Sequence, residues 1–268
     1  MSLGQRISEL HEQLPGSRHE AEWAVLKSPD VYATHPKGTR LVQALVESGS
    51  NEFHASLARG LDVFKCLTCM HGNFVLQSLV HYARLASIEP IVRALEDCTT
   101  AYFATHVTGC RIYCRIIEQC GRTAAGWGLV SRLMAQFETL VFSRFGHYVI
   151  QTLIEYGPEE CVEDILELVA CDAERCVRHK EAIFVVLHCL EHGARDARGH
   201  ARLEERLVHG DLAELLLTSP ARFHALKALA RSRSGAVRDA AERVIRGQPV
   251  LEEECRTRRG RRGKHLVR

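Results

Sequence analysis

Residues 71–83 read HGNFVLQSLVHYA and bring together two amides and an aromatic ring. Asn73 and Gln77 are four residues apart, so a helix places them one turn apart on one face, with Phe74 about 100° around the axis from Asn73. Carboxamides can hydrogen-bond the edge of a planar heterocycle, and a ring can stack on its face. The stretch therefore predicts a helix with two exposed hydrogen-bonding positions, called here the first and third positions, and one stacking position, called the middle position.

The same pattern recurs along the chain at an interval close to 36 residues. Its third positions are separated by 34, 37, 37, 36 and 40 residues: Gln43, Gln77, Cys114, Gln151, Leu187 and Lys227. Amphipathic segments lie between the copies, and no long alternating run favours a sheet. The sequence predicts an all-α solenoid in which each repeat is a helix, a tight turn and a second helix that carries the pattern.

Glycine precedes the second helix in four repeats: Gly38, Gly72, Gly109 and Gly146. A residue without Cβ can take a positive φ and approach neighbouring backbone closely. Ala182 and Arg222 occupy this place in the last two repeats, where we expect the turn to be built differently.

Every middle position holds a flat side chain able to stack: Arg40, Phe74, Arg111, Tyr148, Phe184 and His224. Stacking on such a platform contributes about 1–3 kcal/mol per base, and a solenoid supplies one platform per repeat. The alternative is that the rings are core residues and the arginines are solvated. Stacked repeats predict that all three positions are exposed and form a continuous strip.

With these residues in view, the chain resembles the Pumilio, or PUF, family of single-stranded RNA-binding proteins. The resemblance lies in HGNFVLQSLV, TGCRIYCRIIEQC, FGHYVIQTLIEYG and the flanks of KEAIFVVLHCLEHG. It implies a right-handed, armadillo- or HEAT-like α-solenoid of about six repeats over residues 21–247, similar to the family's third to eighth repeats. Residues 1–20 are then an N-terminal cap or a flexible segment, and 248–268 a basic disordered tail.

The resemblance also implies that the first and third positions contact one base edge per repeat while the middle position stacks. Asn73 with Gln77 resembles a uracil-accepting pair, and Thr39 with Gln43 is closer to the adenine-preferring type. His147 with Gln151 keeps the glutamine of a uracil reader but lacks the expected asparagine.

Other repeats depart from the family pattern. Cys110 with Cys114 retains the small first residue of an adenine reader without its glutamine, so we expect poor discrimination there. Ile183 with Leu187 offers no polar group. Phe223 with Lys227 can stack and contact phosphate but matches no base.

Antiparallel binding, as in the family, implies a 5′ to 3′ preference of two unread positions, a U-like position, an unspecified one, U and an A-like position. The expected partners are single-stranded RNA, with mRNA 3′ untranslated regions foremost, and effector proteins that regulate mRNA stability or translation. We expect a monomer that is not an enzyme and needs no cofactor.

Charge is nearly balanced over the chain, with 35 Lys and Arg against 33 Asp and Glu. No apolar run approaches the roughly 18 residues of a membrane span, and 11 cysteines in helical segments favour reduced thiols inside the cell. We expect a cytoplasmic protein, with a nuclear or nucleolar location as the alternative.

Basic residues concentrate at the C-terminus, including Arg258, Arg259, Arg261 and Arg262. Such a tail adds sequence-independent, salt-sensitive attraction to phosphate. A targeting segment and a solubilising end are the alternatives.

Cys66-x-x-Cys69 followed by His71 raises the question of zinc, but no second paired motif occurs at ligand spacing. Helix packing is the preferred interpretation, and no metal is expected. Phosphate loops and catalytic motifs are likewise missing from the sequence.

Two other functions fit the repeat pattern. One is a nucleolar relative that binds structured RNA through charge and acts in ribosome biogenesis. The other is a HEAT- or armadillo-like scaffold that binds a protein segment.

Overall fold

The computed structural model describes residues 2–97, 100–193, 198–208, 222–232 and 234–246. These residues form α-helices joined by short turns, and none of them lies in a strand, which confirms the predicted all-α class. The helices fall into two compact units, one before and one after the boundary between Pro158 and Glu159. Within the described ranges, no helix is both long and apolar enough to cross a bilayer.

The first compact unit contains thirteen helices along its described residues. They are α1 (Leu3–Glu12), α2 (Leu14–Lys27), α3 (Pro29–Thr34), α4 (Pro36–Glu47), α5 (Asn51–Gly60), α6 (Val63–Thr68), α7 (Gly72–Tyr82), α8 (Leu85–Asp97), α9 (Thr100–Ala104), α10 (Gly109–Cys120), α11 (Ala124–Met134), α12 (Phe137–Val141) and α13 (Gly146–Tyr156).

The described part of the second compact unit contains six helices. They are α14 (Glu159–Cys171), α15 (Ala173–Arg178), α16 (Ala182–His192), α17 (Arg198–Val208), α18 (Arg222–Leu229) and α19 (Gly235–Arg246).

The helices that carry the repeated pattern, called here the pattern helices, are α4, α7, α10 and α13 in the first compact unit and α16 and α18 in the second. In the first unit each pattern helix packs against the next, and α2, α5, α8 and α11 form a second layer in the same way. In the second compact unit, α16 packs against α18, and α14, α17 and α19 pack in sequence. Aliphatic side chains such as Leu41, Leu76 and Leu153 are fully buried in the core.

Each of the first five repeats contains three helices, so the predicted two-helix repeat is wrong there. A short helix (α3, α6, α9, α12 or α15) precedes the pattern helix and is separate from the long helix before it. Asp172, at φ −115° and ψ 37°, interrupts the run between α14 and α15. Val169 and Ala173 remain fully buried on the two sides of that break. The apolar periodicity therefore continues through the bend and conceals it in the sequence.

The N-terminal residues include a packed helix. Ser2 and Gln5 form a reciprocal capping box at the start of α1, and this helix packs against α4 while burying Ile7 and Leu10. A kink at Ser17 divides α2. The limits of the repeat region, 21–247, stay a prediction.

Glycine before the pattern helix is required by close packing. A Cβ on Gly38 would lie 2.3 Å from the carbonyl oxygen of Tyr32, and one on Gly109 would lie 2.2 Å from that of Phe103. Gly38 is the third residue of α4 and Gly109 is the first residue of α10, both right-handed helices, so the expected use of a positive φ is wrong, whereas the expected close approach is present. The short helix leaves no space for a side chain at this point.

The turn before α16 closely matches the turn before α7, so the expectation of a different construction is wrong in the fifth repeat. The residues that end the short helices have φ and ψ of −81° and 131° at Cys69 and −88° and 129° at His179. Ala182 is fully buried at the place of the glycine, so this turn accommodates one methyl group. The turn before Arg222 lies outside the described residues.

Candidate nucleic-acid interface

The middle positions are exposed on all five pattern helices whose side chains are described at that position. Phe74 is 42 % exposed, Tyr148 51 % and Phe184 44 %, and Arg40 and Arg111 are exposed as well. The rings therefore are not core residues. Four of these side chains occupy equivalent positions on the consecutively packed α4, α7, α10 and α13, and we call them the middle row: Arg40, Phe74, Arg111 and Tyr148.

The first positions are buried, contrary to the expectation that they are exposed. Thr39, Asn73, Cys110 and His147 are between 1 % and 4 % exposed, and Ile183 is 3 % exposed. The residues that precede each of these five helices cover the helix's first turn. A side chain at this place therefore lies next to their backbone carbonyls.

These buried side chains hydrogen-bond the entering chain. Asn73 Nδ2 donates to the carbonyl oxygens of Cys69 and Met70, each at 2.9 Å. Thr39 Oγ1 lies 2.8 Å from the carbonyl oxygen of Ala33, to which it donates. His147 Nδ1 lies 3.0 Å from the carbonyl oxygen of Ser143, so this nitrogen carries the proton. Cys110 Sγ is 3.6 Å from the carbonyl oxygen of Val107. The first position thus fastens the entering chain to the pattern helix.

The third positions Gln43, Gln77, Cys114 and Gln151 are half-buried, whereas Leu187 is buried. Gln77 Nε2 donates to Asn73 Oδ1 at 2.8 Å within α7. Gln43 Nε2 donates to Ser78 Oγ at 3.2 Å, from α4 to α7. Each of these amides keeps a carbonyl oxygen and a second N–H for another partner.

The thiols of α10 are neutral groups. Burial raises the pKa of the Cys114 thiol to about 12, against a smaller opposing effect of a hydrogen bond with Thr152. Burial also raises the pKa of the Cys110 thiol. Near neutral pH neither thiol ionises, so this repeat offers only the weak hydrogen bonding of S–H groups.

Side chains three residues before the glycine position cap the pattern helices, a regularity that the sequence interpretation missed. His35 Nδ1 accepts from the N–H groups of Lys37 and Gly38 at 3.2 and 3.3 Å. His179 Nδ1 accepts from those of Glu181 and Ala182 at 3.3 and 3.4 Å. Ser143 Oγ accepts in the same way in α13, and His106 Nδ1 accepts from Thr108 N–H. The recurrence of His or Ser at this spacing is the signal that could have revealed the caps.

The side chain of Cys66 on α6 is fully buried and lies next to Gly72 of α7, as the helix-packing interpretation expects. Burial raises the pKa of its thiol to about 12.

Part of the predicted site lies outside the described residues. Lys227 is half-buried on α18, but the side chains of Phe223 and His224 are not described. The basic residues of the tail also lie outside: Arg258, Arg259, Arg261 and Arg262. Their assignment to phosphate contacts stays a prediction.

Known sequences and structures resemble this chain in its repeats and its fold. The family described as "Pumilio-family RNA binding repeat" matches residues 32–58, 65–96 and 139–170. No curated protein matches the sequence.

Solved structures of low sequence identity share the fold. PUF-8, solved in complex with PBE-RNA, is 20 % identical over 92 % of this chain and 74 % of its own, with a TM-score of 0.78. The Puf3 RNA-binding domain bound to site B of the Cox17 RNA 3′ UTR recognition sequence is 20 % identical over 91 % and 70 %, with a TM-score of 0.69. The RNA-binding domain of yeast Puf5p bound to SMX2 RNA is 14 % identical over 89 % and 72 %, with a TM-score of 0.68.

Proposed function

Three stretches of the chain match the Pumilio-family RNA-binding repeat, and on that premise we propose that it binds single-stranded RNA along α4, α7, α10 and α13. The matched structures contain PUF proteins in complex with RNA, which supports the same ligand class here.

The middle row is the observation that carries the proposal. Its four flat side chains recur once per repeat, while adjoining aliphatic residues such as Val75 and Val149 are fully buried. Neighbouring packed helices lie roughly 8–10 Å apart, so the row offers a series of separate platforms. Bases of an unpaired strand stack on rings and guanidinium groups, each worth about 1–3 kcal/mol. A protein-binding scaffold has no comparable need for such a row.

Base edges are contacted by the third positions in this proposal. Gln77 and Gln151 contact uracil, Gln43 contacts adenine, and Cys114 discriminates weakly because it has no strong donor or acceptor. Asn73 supports uracil recognition by holding Gln77, since both of its own N–H groups are already donated to carbonyls. Thr39, Cys110 and His147 likewise act from buried places beneath the bases.

The fifth repeat stacks a base without reading its edge. Phe184 is exposed on α16, whereas Ile183 and Leu187 are apolar and buried at the two flanking positions. This combination accepts any base.

The biological consequence that we propose is post-transcriptional control of mRNA without catalysis by the chain itself. The protein binds a short U- and A-containing element in a 3′ untranslated region and recruits effector proteins that change mRNA stability or translation. This step rests on the family resemblance.

A titration with labelled RNA tests the proposal. A UAUA-containing oligomer and a shuffled control of equal composition are titrated at two salt concentrations. We expect the UAUA oligomer to bind more tightly at both, with a modest loss of affinity at high salt.

Equal binding of the two oligomers with a steep salt dependence would instead support the structured-RNA function. The apolar edge positions Ile183 and Leu187 favour that second function, because a protein that binds through charge does not need edge contacts.

A further inference from the structure

A side chain of one repeat holds the third position of the repeat before it. Gln43 on α4 donates from Nε2 to Ser78 Oγ on α7 at 3.2 Å. Ser78 is four residues after the stacking residue Phe74, one turn further along the same helix. Both partners are half-buried, so the contact borders the surface proposed to bind RNA.

A related arrangement occurs between α10 and α13. Thr152 is four residues after Tyr148, and its hydroxyl donates to the carbonyl oxygen of Tyr148 at 2.8 Å. The same hydroxyl acts on the thiol of Cys114 in the preceding repeat, where it slightly opposes the effect of burial on the thiol pKa. Two pairs of neighbouring helices therefore use a hydroxyl at one equivalent position.

The contact is different between α7 and α10, the pair of helices that lies between these two pairs. Arg115 occupies the equivalent position on α10, but its guanidinium pairs with Glu118 at 2.6 Å. The preceding third position, Gln77, is held within its own helix by Asn73. Gln43 and Gln77 are therefore the same residue type at equivalent positions. A residue of the next repeat holds Gln43, whereas a residue of the same helix holds Gln77.

The contact limits the orientations open to the Gln43 amide. Glutamine has three side-chain torsions, so an amide without a fixed partner can present its donor and acceptor in many directions. With one N–H donated to Ser78, the second N–H and Oε1 remain side by side. A glutamine amide in this form can pair bidentately with the amino group and ring nitrogen of adenine.

We infer that Ser78 is a positioning residue that sets the base preference of the preceding repeat by holding the Gln43 amide toward adenine. The inference rests on the proposed binding of single-stranded RNA and adds a residue from outside the three positions of the pattern. Ser78 itself does not contact the base. Its effect is confined to one nucleotide, the one that faces Gln43.

The test compares base preference at two neighbouring nucleotides. UAUA-containing oligomers in which the last or the third letter of UAUA is varied in turn are titrated with the wild type, Ser78→Ala and Ser78→Thr. Ser56→Ala is the matched control, because it removes the same hydroxyl from a half-buried position on α5, outside the pattern helices. Thermal unfolding of each variant checks that the fold is retained.

We expect Ser78→Ala to reduce the preference for A at the last letter about two- to tenfold, the range of one net hydrogen bond. Preference at the third letter stays unchanged, Ser78→Thr keeps both preferences, and Ser56→Ala behaves as wild type. An unchanged A preference in Ser78→Ala, or an equal loss of affinity for every oligomer, would overturn the inference. A wild type without preference at either letter would show instead that the proposed base reading has failed.

Discussion

Asn73 Oδ1 accepts a hydrogen bond from Gln77 Nε2 at 2.8 Å, while its own amide donates to two backbone carbonyls beneath the helix. The asparagine expected to contact a base is therefore a buried support, and the glutamine above it presents the surface group. Asn73 therefore holds the start of the helix and Gln77 faces the surface, although the sequence pattern treats both residues as one base-contacting pair.

Asn73→Ala is expected to lower the free energy of unfolding by about 1–3 kcal/mol, because it removes the side-chain donor to the carbonyl oxygen of Met70 and one of the two donors to that of Cys69. The same change releases Gln77 and lowers the uracil preference of that repeat. Chemical denaturation measures the first effect and oligomer titration the second. Gln77→Ala is the control, with a similar loss of preference but a smaller loss of stability, about 0.5–1.5 kcal/mol, because it removes only the hydrogen bond to Asn73 Oδ1. An unaltered stability of Asn73→Ala would show that the buried hydrogen bonds are unimportant.

Ser143→Ala is expected to cost about 0.5–2 kcal/mol of stability, since it removes the acceptor for the N–H groups of Phe145 and Gly146 at the start of α13. Ser143→Asp keeps an acceptor and places a negative charge near a helix N-terminus, so it should be at least as stable as wild type. The midpoint of urea unfolding measures both variants. Equal destabilisation by the two substitutions would contradict the capping role.

Gly109→Ala is expected to destabilise the protein by about 1–3 kcal/mol or more, because the new methyl group would overlap the carbonyl oxygen of Phe103. Gly16→Ala provides the control. It lies in α2 with no atom within 4 Å of the added Cβ, and alanine is favoured over glycine in helices by roughly 0.5–1 kcal/mol. The two variants should therefore shift the thermal midpoint in opposite directions, and a shift in the same direction would argue against close packing at Gly109.

Thiol labelling should separate exposed from buried cysteines. Cys171 is exposed, whereas Cys66 and Cys114 have pKa values raised by burial to about 12. Because the thiolate is the reactive form, limited alkylation at pH 8 followed by peptide mapping should find Cys171 modified well before the other two. Rapid modification of Cys114 in the folded protein would contradict its burial.

The free energy of unfolding should decrease at alkaline pH, because burial raises the pKa of several thiols in the folded state. Burial keeps several thiols protonated in the folded state, while the unfolded chain loses those protons near the ordinary value of 9.0. The folded state therefore binds more protons than the unfolded state above pH 9, and its stability falls as pH rises. Urea unfolding between pH 8 and pH 10 measures this dependence, and Cys161→Ser provides a variant with one fewer buried thiol.

The repeat, the all-α class and the exposure of the middle positions could be predicted because they follow from one period and from helix geometry. The short helix of the first five repeats could not, since a break such as the one at Asp172 leaves the apolar periodicity intact on both sides. Burial of Asn73 was also missed. Helical spacing places Asn73 and Gln77 on one face, but the chain entering the helix covers only the first turn.

The capping side chains could have been predicted from their spacing before the glycines, as His35 and Ser143 illustrate. The contact from Gln43 to Ser78 could not, because it depends on the register between two packed helices.

The central claim is that the middle row stacks RNA bases, and affinities of Phe74→Ala and Tyr148→Ala for a UAUA-containing oligomer test it most directly. Tyr102→Ala is the matched control, since Tyr102 is 62 % exposed on the short helix α9, outside the pattern helices. Loss of one platform corresponds to about 1–3 kcal/mol, so each test variant should bind roughly 5- to 150-fold more weakly than wild type, with Tyr102→Ala unaffected. Wild-type affinity in both test variants, or an equal loss in the control, would contradict the claim.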